Sequence, residues 1–400
     1  MVSKAGSGDS KDGNSGGNSS ACTFAGGTSA GTGGTEPVVP PRDYGHYLNL
    51  DTLLSCQTPW SEKHGRPAHD EHLFIIVHQV YELWFKEIIH NLSSVIEMFD
   101  RHFVDEVKIG IAVQRVARIN EIMKILVDQI HVLETMTPLD FLDFRNYLGA
   151  ASGFQSVQFR VFENRLGLKR QHGNQQVDRA SALQFDESAR STIERAGGER
   201  SLFEVVEQWL ERTPFVHAQE FDFVAEYRVA VQKLWDGERA VVIQNSRLTQ
   251  EERERRLSQI SASQAQFLLM IDPREHAQNL EKGLWRLSYS ATLAALFISL
   301  YRDEPILHGP YRLLAGLIDL DEGLSAWRHR HSLLVLRMIG TKMGSGGSAG
   351  HDYLRSTVEM NRIFKDFFSL SSLLIARADL PELPPALKKK LAFHYTVTSM

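Results

Sequence analysis

The sequence predicts an all-α fold, in which a large helical bundle carries a smaller helical insertion. Apolar residues recur every three or four positions through most of the chain after residue 44, which is the period of an amphipathic helix. No segment has the convincing alternation of apolar and polar residues that is typical of a β-strand. No repeat of fixed period is found either, which argues against a helical solenoid.

The two most regular helices are predicted over residues 69–98 and 106–135. In the first of them the apolar side chains that follow the helical period are Leu73, Phe74, Val77, Val80, Leu83, Trp84 and Ile88. Proline-containing turn signals separate the helical stretches, for example at Thr137-Pro138 and Asp272-Pro273. Further helices are predicted over residues 153–165, 187–196, 201–212, 218–236, 247–270, 275–302, 322–340 and 351–374.

Composition divides the chain into three parts. Residues 1–40 are dominated by Gly, Ser, Asn and Thr, so they cannot bury enough apolar surface to offset their ordering entropy, and we predict a disordered tail. Residues 41–380 form the helical domain, in which about 185–270 make up the smaller helical subdomain and 170–184 an exposed loop. Residues 381–400 are predicted to be a C-terminal tail.

The charge and the apolar pattern exclude several classes of protein. A formal net charge of −5 without a basic stripe argues against nucleic-acid binding. Two cysteines cannot make a disulfide framework, which fits a reducing compartment. The N-terminus lacks the apolar stretch of a signal peptide, and the longest apolar run, residues 291–300, is shorter than the roughly 20 residues of a membrane span. We therefore expect a soluble, cytoplasmic protein without a membrane partner.

Sixteen histidines in a helical protein suggest a metal site, and their spacing limits its type. The sequence has no pair of Glu-x-x-His motifs on two long buried helices, as a di-iron bundle needs. It also lacks the H-E-x-x-H zinc motif and the C-x-x-C-H motif of covalent haem attachment. A cofactor held by a single axial histidine is still compatible with the sequence.

Three segments contain polar residues in unusual surroundings. His78 lies inside an apolar helix, one turn after Phe74, and must find a partner there, either as a hydrogen-bonded core histidine or as a ligand-facing one. Arg145 lies among aromatic residues, where it can hold a planar carboxylate, reach the surface or pair with Asp143.

The third segment joins a helix to a glycine-rich loop. The helix carries His329 and His331, and the glycines of residues 344–350 allow the backbone to approach a ligand closely or to act as a flexible linker. The loop does not satisfy the P-loop pattern.

Together these segments resemble the tryptophan 2,3-dioxygenase family. The resemblance covers residues 44 to about 376 and runs in the family's order through YGHYLNLD, HDEHLFIIVHQVYELWFK, ETMTPLDF, FRNYLGAASGFQS, WLERTP, YRDEP, GTKMGSGGSAG and YLRST. It implies an all-helical subunit that binds b-type haem and assembles as a homotetramer.

The resemblance also implies the roles of individual residues. His331 corresponds to the proximal ligand of the haem iron, and His78 to the distal histidine that faces the indole N–H. Arg145 matches the clamp for the substrate carboxylate, and Ser345 the residue that meets the substrate ammonium and carboxylate. The other implied pocket residues are Phe74, Phe141, Leu148 and Ser152, Trp327 beside the haem, and Tyr44 and Tyr47, which reach a neighbouring subunit's site.

Two positions depart from the family's pattern. Ser345 replaces a threonine, which keeps the hydroxyl but removes a methyl group and some rotamer restriction. His329 replaces an aromatic residue, commonly tyrosine. Two histidines at positions i and i+2 point about 200° apart on a helix and cannot share one iron, so the resemblance, not the spacing, selects His331.

The resemblance implies a reaction in which L-tryptophan and O₂ give N-formylkynurenine, the first step of tryptophan catabolism by the kynurenine pathway. Ferrous haem would carry the chemistry, and the protein would supply orientation and electrostatics. Three alternatives remain open from the sequence: a haem-binding sensor, a dioxygenase for another indole, and a helical interaction module without a cofactor.

Overall fold

The computed structural model describes residues 43–149, 153–168, 185–214, 216–218, 221–340, 342 and 350–392. Its contacts divide the chain into two units, Met1–Cys56 and Gln57–Met400. The described part of the first unit contains two short helices, α1 (Tyr44–Leu48) and α2 (Leu50–Leu53). Asn49 joins them in the left-handed conformation, with a φ of 52°.

The described residues of the second unit are mainly helical, so the all-α prediction is confirmed. Among its described residues, the strands are limited to one antiparallel pair, β1 (His217–Ala218) and β2 (Phe221–Asp222). The helices are α3 (Trp60–Lys63), α4 (His69–Phe99), α5 (Glu106–Leu133), α6 (Pro138–Arg145), α7 (Val157–Leu166), α8 (Glu187–Gly198), α9 (Leu202–Glu211), α10 (Phe223–Gln244), α11 (Gln250–Met270), α12 (Pro273–Glu281), α13 (Tyr289–Leu300), α14 (Pro305–Ile339), α15 (Gly350–Met360), α16 (Lys365–Ser369) and α17 (Pro385–Leu391). Short 3₁₀ turns cover Asn146–Leu148, Gly153–Gln155, Leu370–Leu373 and Arg377–Asp379.

Three long helices form the framework of this unit. Helix α5 packs against both α4 and α14, while α7 lies along α4 and α15 along α14. The helical period of their apolar residues brings one side of each long helix into a common core. The fully buried apolar residues of this framework include Ile88, Leu92, Val95, Ile119, Leu126, Leu313, Leu317, Leu320 and Leu324.

Side-chain caps determine where several helices begin. The Asp105 carboxylate accepts a hydrogen bond of 2.8 Å from the Lys108 N–H at the start of α5. At the start of α6, Thr137 and Asp140 form a reciprocal capping box, and Pro138 occupies the first helical position. These caps satisfy backbone N–H groups that have no partner within the helix.

Helix α14 is longer than the helix predicted over 322–340, because it begins at Pro305. Proline is unfavourable inside a helix, yet α14 contains both Pro305 and Pro310. In the structure the first is at the N-terminal position that proline favours, and the second removes a single hydrogen bond near the start of the helix. Burial of Leu307, Leu313 and Leu314 around Pro310 stabilises the continuous helix.

Other boundaries were wrong because turns interrupt the apolar pattern. The helix predicted over 275–302 is two helices, α12 and α13, separated at Gly283, whose φ is +69°. The helix predicted over 351–374 is divided among α15, α16 and a 3₁₀ turn. Strands β1 and β2 precede α10, where the sequence predicted helix from residue 218.

The predicted domain limits stay predictions, because several of the predicted segments lie outside the described residues. The tail over 1–40 and nearly all of the loop over 344–350 lie outside the described residues, as does the loop over 170–184. Residues 185–270 belong to the second unit, and the segment after residue 380 contains α17, whose Leu387 and Leu391 are buried. None of the described helices is long and apolar enough to cross a membrane.

Gly167 ends α7 at a position where only glycine fits. Its φ is +98°, and a Cβ atom there would lie 2.7 Å from Ser201 Oγ and 2.8 Å from Phe203 Cβ. We expect Gly167→Ala to reduce the free energy of unfolding by about 2–5 kcal/mol, from backbone strain and overpacking together. Gly283→Ala is the matched control, because its φ is also positive but no atom lies within 4 Å of the added Cβ. Urea unfolding measures both, and equal losses would contradict this account.

Candidate active site

A cavity of about 580 Å³ lies in the core of the second unit, within the usual size range of ligand pockets. Its walls come from α4, α6, α7, α14 and α15, together with the end of α5 and the 3₁₀ turn at Asn146–Leu148. The lining is mainly apolar and aromatic. Its polar members are His78, Glu82, Arg145, Asn146, Ser156, Arg160, Glu163, Arg328, His331, Thr357 and Asn361.

Helix α4 contributes His78 with a defined tautomer. The imidazole Nδ1 lies 2.7 Å from the backbone carbonyl oxygen of Phe74, and a carbonyl can only accept, so Nδ1 carries the proton. Burial lowers the pKa of His78, although the Phe74 carbonyl and the carboxylate of Glu82 act in the opposite direction. The ring is therefore neutral near pH 7, and its Nε2 is an acceptor.

Helix α14 brings His331 to the cavity. Its imidazole is stacked on the indole of Trp327, with 5.2 Å between the ring centroids. Burial, with a smaller contribution from His78, lowers the pKa of His331 to about 4, so this imidazole is also neutral at physiological pH. His329 does not line the cavity and is exposed, as the spacing of two residues on one helix requires.

Helix α6 and the turn after it form the third functional wall, which contains Arg145, Phe141 and Leu148. Phe144 anchors this wall, because it is fully buried and its ring lies 5.4 Å from that of Phe74 and 5.3 Å from that of Phe141. Arg145 is half-buried at the end of α6, so its guanidinium is partly shielded from water.

A buried ion cluster forms the wall between α7 and α14. Glu163 accepts hydrogen bonds from Arg160 Nη1 at 3.0 Å and from Arg328 Nη2 at 2.9 Å, and Arg328 Nη1 donates to the Asn361 carbonyl at 3.0 Å. All three residues are buried, with less than a tenth of each residue exposed. Glu163 thus neutralises part of the positive charge that the two arginines bring to the cavity wall.

This cluster was not predicted from the sequence. Arg160 and Glu163 follow the helical period of α7, and Arg328 lies one residue before His329. A charged residue at a helical position where an apolar one is expected could have indicated a buried ion pair. The sequence could not indicate that α7 and α14 meet at these residues.

The structure brings most of the predicted site residues together. Seven of them line this one cavity: Phe74, His78, Phe141, Arg145, Leu148, Trp327 and His331. Tyr44 and Tyr47 are exposed on α1 in the first unit. Ser152 and Ser345 lie outside the described residues.

No group of three or more His, Cys, Asp or Glu side chains gathers as a metal site within the described ranges. The cavity instead offers isolated neutral imidazoles on different helices. An all-helical protein with an apolar ligand cavity in its core is the class of protein that the fold and site define.

Comparison with known proteins identifies the family within this class. The family model described as tryptophan 2,3-dioxygenase matches residues 30–374. A relative with that name from Bdellovibrio bacteriovorus is 44% identical to this chain, over 89% of this chain and 99% of the relative. Another from Alteromonas mediterranea is 40% identical, over 89% of this chain and 98% of the relative. A third, from Dictyostelium discoideum, is 43% identical over 88% of this chain and 89% of its own. The chain belongs to the tryptophan 2,3-dioxygenase family.

The ion cluster allows a test of the architecture of the site. Glu163→Gln removes the charge that two buried arginines share, and we expect it to reduce the free energy of unfolding by about 3 kcal/mol. Glu121→Gln is the control, because the Glu121–Lys124 pair is 69% exposed on both sides and should have no measurable effect. Chemical unfolding of both variants measures the difference, and a stable Glu163→Gln protein would contradict the buried-cluster account.

Proposed function

We propose that the protein is a haem-dependent tryptophan 2,3-dioxygenase, which cleaves the indole C2–C3 bond of L-tryptophan with O₂ to give N-formylkynurenine. This would be the first step of tryptophan catabolism by the kynurenine pathway. Membership of the family supports tryptophan oxidation and an oxidoreductase activity. The observation that carries the proposal is one apolar cavity lined by a neutral His331, a neutral His78 and Arg145.

The cavity residues fit a b-type haem in three respects. His331 is neutral, which an imidazole must be before it can bind iron. The aromatic and aliphatic lining suits a porphyrin face, and the buried Arg160 and Arg328 supply positive charge for its carboxylates. His331 would hold the iron with Trp327 beside it, and the ferrous haem would supply the activation of dioxygen.

The remaining polar residues would orient the substrate. Arg145 is the candidate clamp for the amino-acid carboxylate, because a guanidinium holds a carboxylate through two parallel hydrogen bonds. His78 Nε2 accepts a hydrogen bond from the indole N–H, since the Phe74 carbonyl keeps the proton on Nδ1. The indole N–H is a very weak acid, so His78 acts as a hydrogen-bond acceptor and not as a base that must remove the proton.

The apolar residues would fix the indole ring and exclude water. Phe74, Phe141 and Leu148 line the same region of the cavity and provide aromatic and aliphatic contact surface. In the reaction the C2–C3 bond breaks and each of its carbons gains one oxygen atom of O₂. Both oxygen atoms enter the product, so the turnover consumes no external reductant.

Further assignments extend this proposal and rest on the resemblance alone. Ser345 would meet the substrate ammonium and carboxylate, and Ser152 would complete the pocket wall. Tyr44 and Tyr47 would reach the site of a neighbouring subunit in a homotetramer. The enzyme would act in the cytoplasm.

The ligand assignment predicts different behaviour for two histidines that are two residues apart. We expect His331→Ala to lose most bound haem, because it removes the proposed axial ligand. His329→Ala should retain haem, because His329 is exposed and outside the cavity. The Soret absorbance per protein, measured after expression with ample haem, reports occupancy. Equal loss in both variants, or loss in His329→Ala alone, would overturn the assignment of His331.

The clamp assignment predicts the substrate preference. Tryptamine lacks the carboxylate, so it should be a very poor substrate of the wild type. Arg145→Leu leaves the carboxylate without its partner, at a cost of about 2–5 kcal/mol in binding tryptophan, and should reduce the preference for tryptophan over tryptamine. Arg145→Lys should not restore function, because lysine is a single point charge.

The measurement is kcat/KM for both compounds in all three proteins, from oxygen uptake. A wild type that consumes no oxygen with tryptophan would contradict the proposed function. A ratio of tryptophan to tryptamine that Arg145→Leu leaves unchanged would contradict the clamp, and Arg145 would then have a structural role only.

A further inference from the structure

Helix α3 and the residues that join it to α4 are fastened to α4 by a buried carboxylate that the proposed mechanism does not use. Glu71 is 1% exposed, and its two carboxylate oxygens accept hydrogen bonds of 2.9 Å from the N–H groups of Trp60 and Ser61. Ser61 Oγ in turn accepts from the Ala68 N–H at 3.0 Å. Residues 60–68, named the brace below, are thus closed into a loop and fixed to the helix that carries His78.

The brace contacts the wall that contains Arg145. The imidazole of His64 is stacked on the ring of Tyr147, with 5.1 Å between the centroids and 29° between the planes. The orientation of His64 is fixed because its Nδ1 lies 2.8 Å from the Trp60 carbonyl oxygen, which makes Nδ1 the donor. Tyr147 lies in the 3₁₀ turn that directly follows Arg145 and also contains Leu148.

The brace therefore supports a wall whose other side is held by the core. Phe144 fixes the inner side of α6, as described above, while His64 covers the following turn from outside. The turn ends at Gly149, whose φ of +57° marks a change of chain direction. Without the contact from His64, only the inner side of α6 would be held in place. The last residue of the helix, Arg145, and the 3₁₀ turn that follows it would then be held loosely.

We propose that Glu71 is a positioning residue for the carboxylate end of the substrate site, acting through His64 and Tyr147 on Arg145 and Leu148. The role of Arg145 in this inference rests on the proposed function. A displacement of the order of 1 Å at a binding group lowers rates by up to about 100-fold, so a loosened brace has a measurable kinetic effect.

Glu71→Gln is the direct test. Each carboxylate oxygen of Glu71 accepts from one backbone N–H, and glutamine replaces one of these acceptors with an N–H₂ donor, so one hydrogen bond is lost. Asp366→Asn is a matched control: Asp366 is 2% exposed and accepts from two consecutive backbone N–H groups, Arg286 at 2.6 Å and Leu287 at 2.7 Å, away from the cavity lining. Both substitutions replace a buried carboxylate that accepts from two backbone N–H groups with a neutral amide, so both should lower the melting temperature of the haem-loaded protein. The effect of Asp366→Asn should be smaller, because Oδ2 alone accepts both hydrogen bonds and an amide oxygen can take its place.

Of the two carboxylate variants, only Glu71→Gln should change substrate recognition. We expect its KM for L-tryptophan to rise by about 3- to 10-fold, with a smaller change in kcat, and its preference for tryptophan over tryptamine to fall by a similar factor. His64→Ala keeps the Glu71 contacts and changes an exposed side chain, so it should fold normally and shift the preference in the same direction. His90→Ala, also exposed on α4, should leave the preference unchanged.

Hydrogen–deuterium exchange of residues 138–149 gives a readout that does not depend on activity. Exchange there should be faster in Glu71→Gln and His64→Ala than in the wild type, and unchanged in Asp366→Asn. Wild-type exchange in Glu71→Gln, or an equal acceleration in Asp366→Asn, would overturn the positioning role. A wild type without preference for tryptophan over tryptamine would instead contradict the proposed function, and the exchange result alone would then decide whether the brace holds this wall.

Discussion

The Glu163 carboxylate, shared between Arg160 and Arg328, is the interaction on which the architecture of the site depends. It joins α7 to α14 at a point where both helices line the cavity, and α7 in turn packs along α4. The helices that carry His78 and His331 are therefore held around one space. Buried charges are tolerated inside a protein only when each is paired and hydrogen-bonded. Here Glu163 accepts from both arginines, and Arg328 also donates to the Asn361 carbonyl.

The same burial determines the chemistry that the cavity offers. Removing water disfavours the charged form of an imidazole, so His78 and His331 are both neutral at physiological pH. A neutral imidazole can bind iron or accept a hydrogen bond. In His78 the acceptor is Nε2, because Nδ1 carries the proton that is donated to the Phe74 carbonyl. The half-buried Arg145 at the end of α6 offers a planar guanidinium that suits a carboxylate partly shielded from water.

The sequence predicted the helices more reliably than their ends and their contacts. The apolar period over 69–98 and 106–135 corresponds closely to α4 and α5, because a long buried face repeats the same signal many times. The first half of α14 was not predicted. It contains Pro310, whose local cost to the helix is outweighed by tertiary packing. The Arg160–Glu163–Arg328 cluster and the brace depend on which helices meet, and spacing along the chain does not contain that information.

The proposed function requires haem and tryptophan to occupy the same cavity. Titration of the reduced, haem-loaded protein with L-tryptophan, followed through the Soret band under exclusion of oxygen, tests it most directly. The account predicts a saturable spectral shift with one tryptophan per haem, and a much weaker response to tryptamine. A Soret band that stays unchanged at tryptophan concentrations that sustain turnover would contradict it, because the substrate would then bind away from the haem.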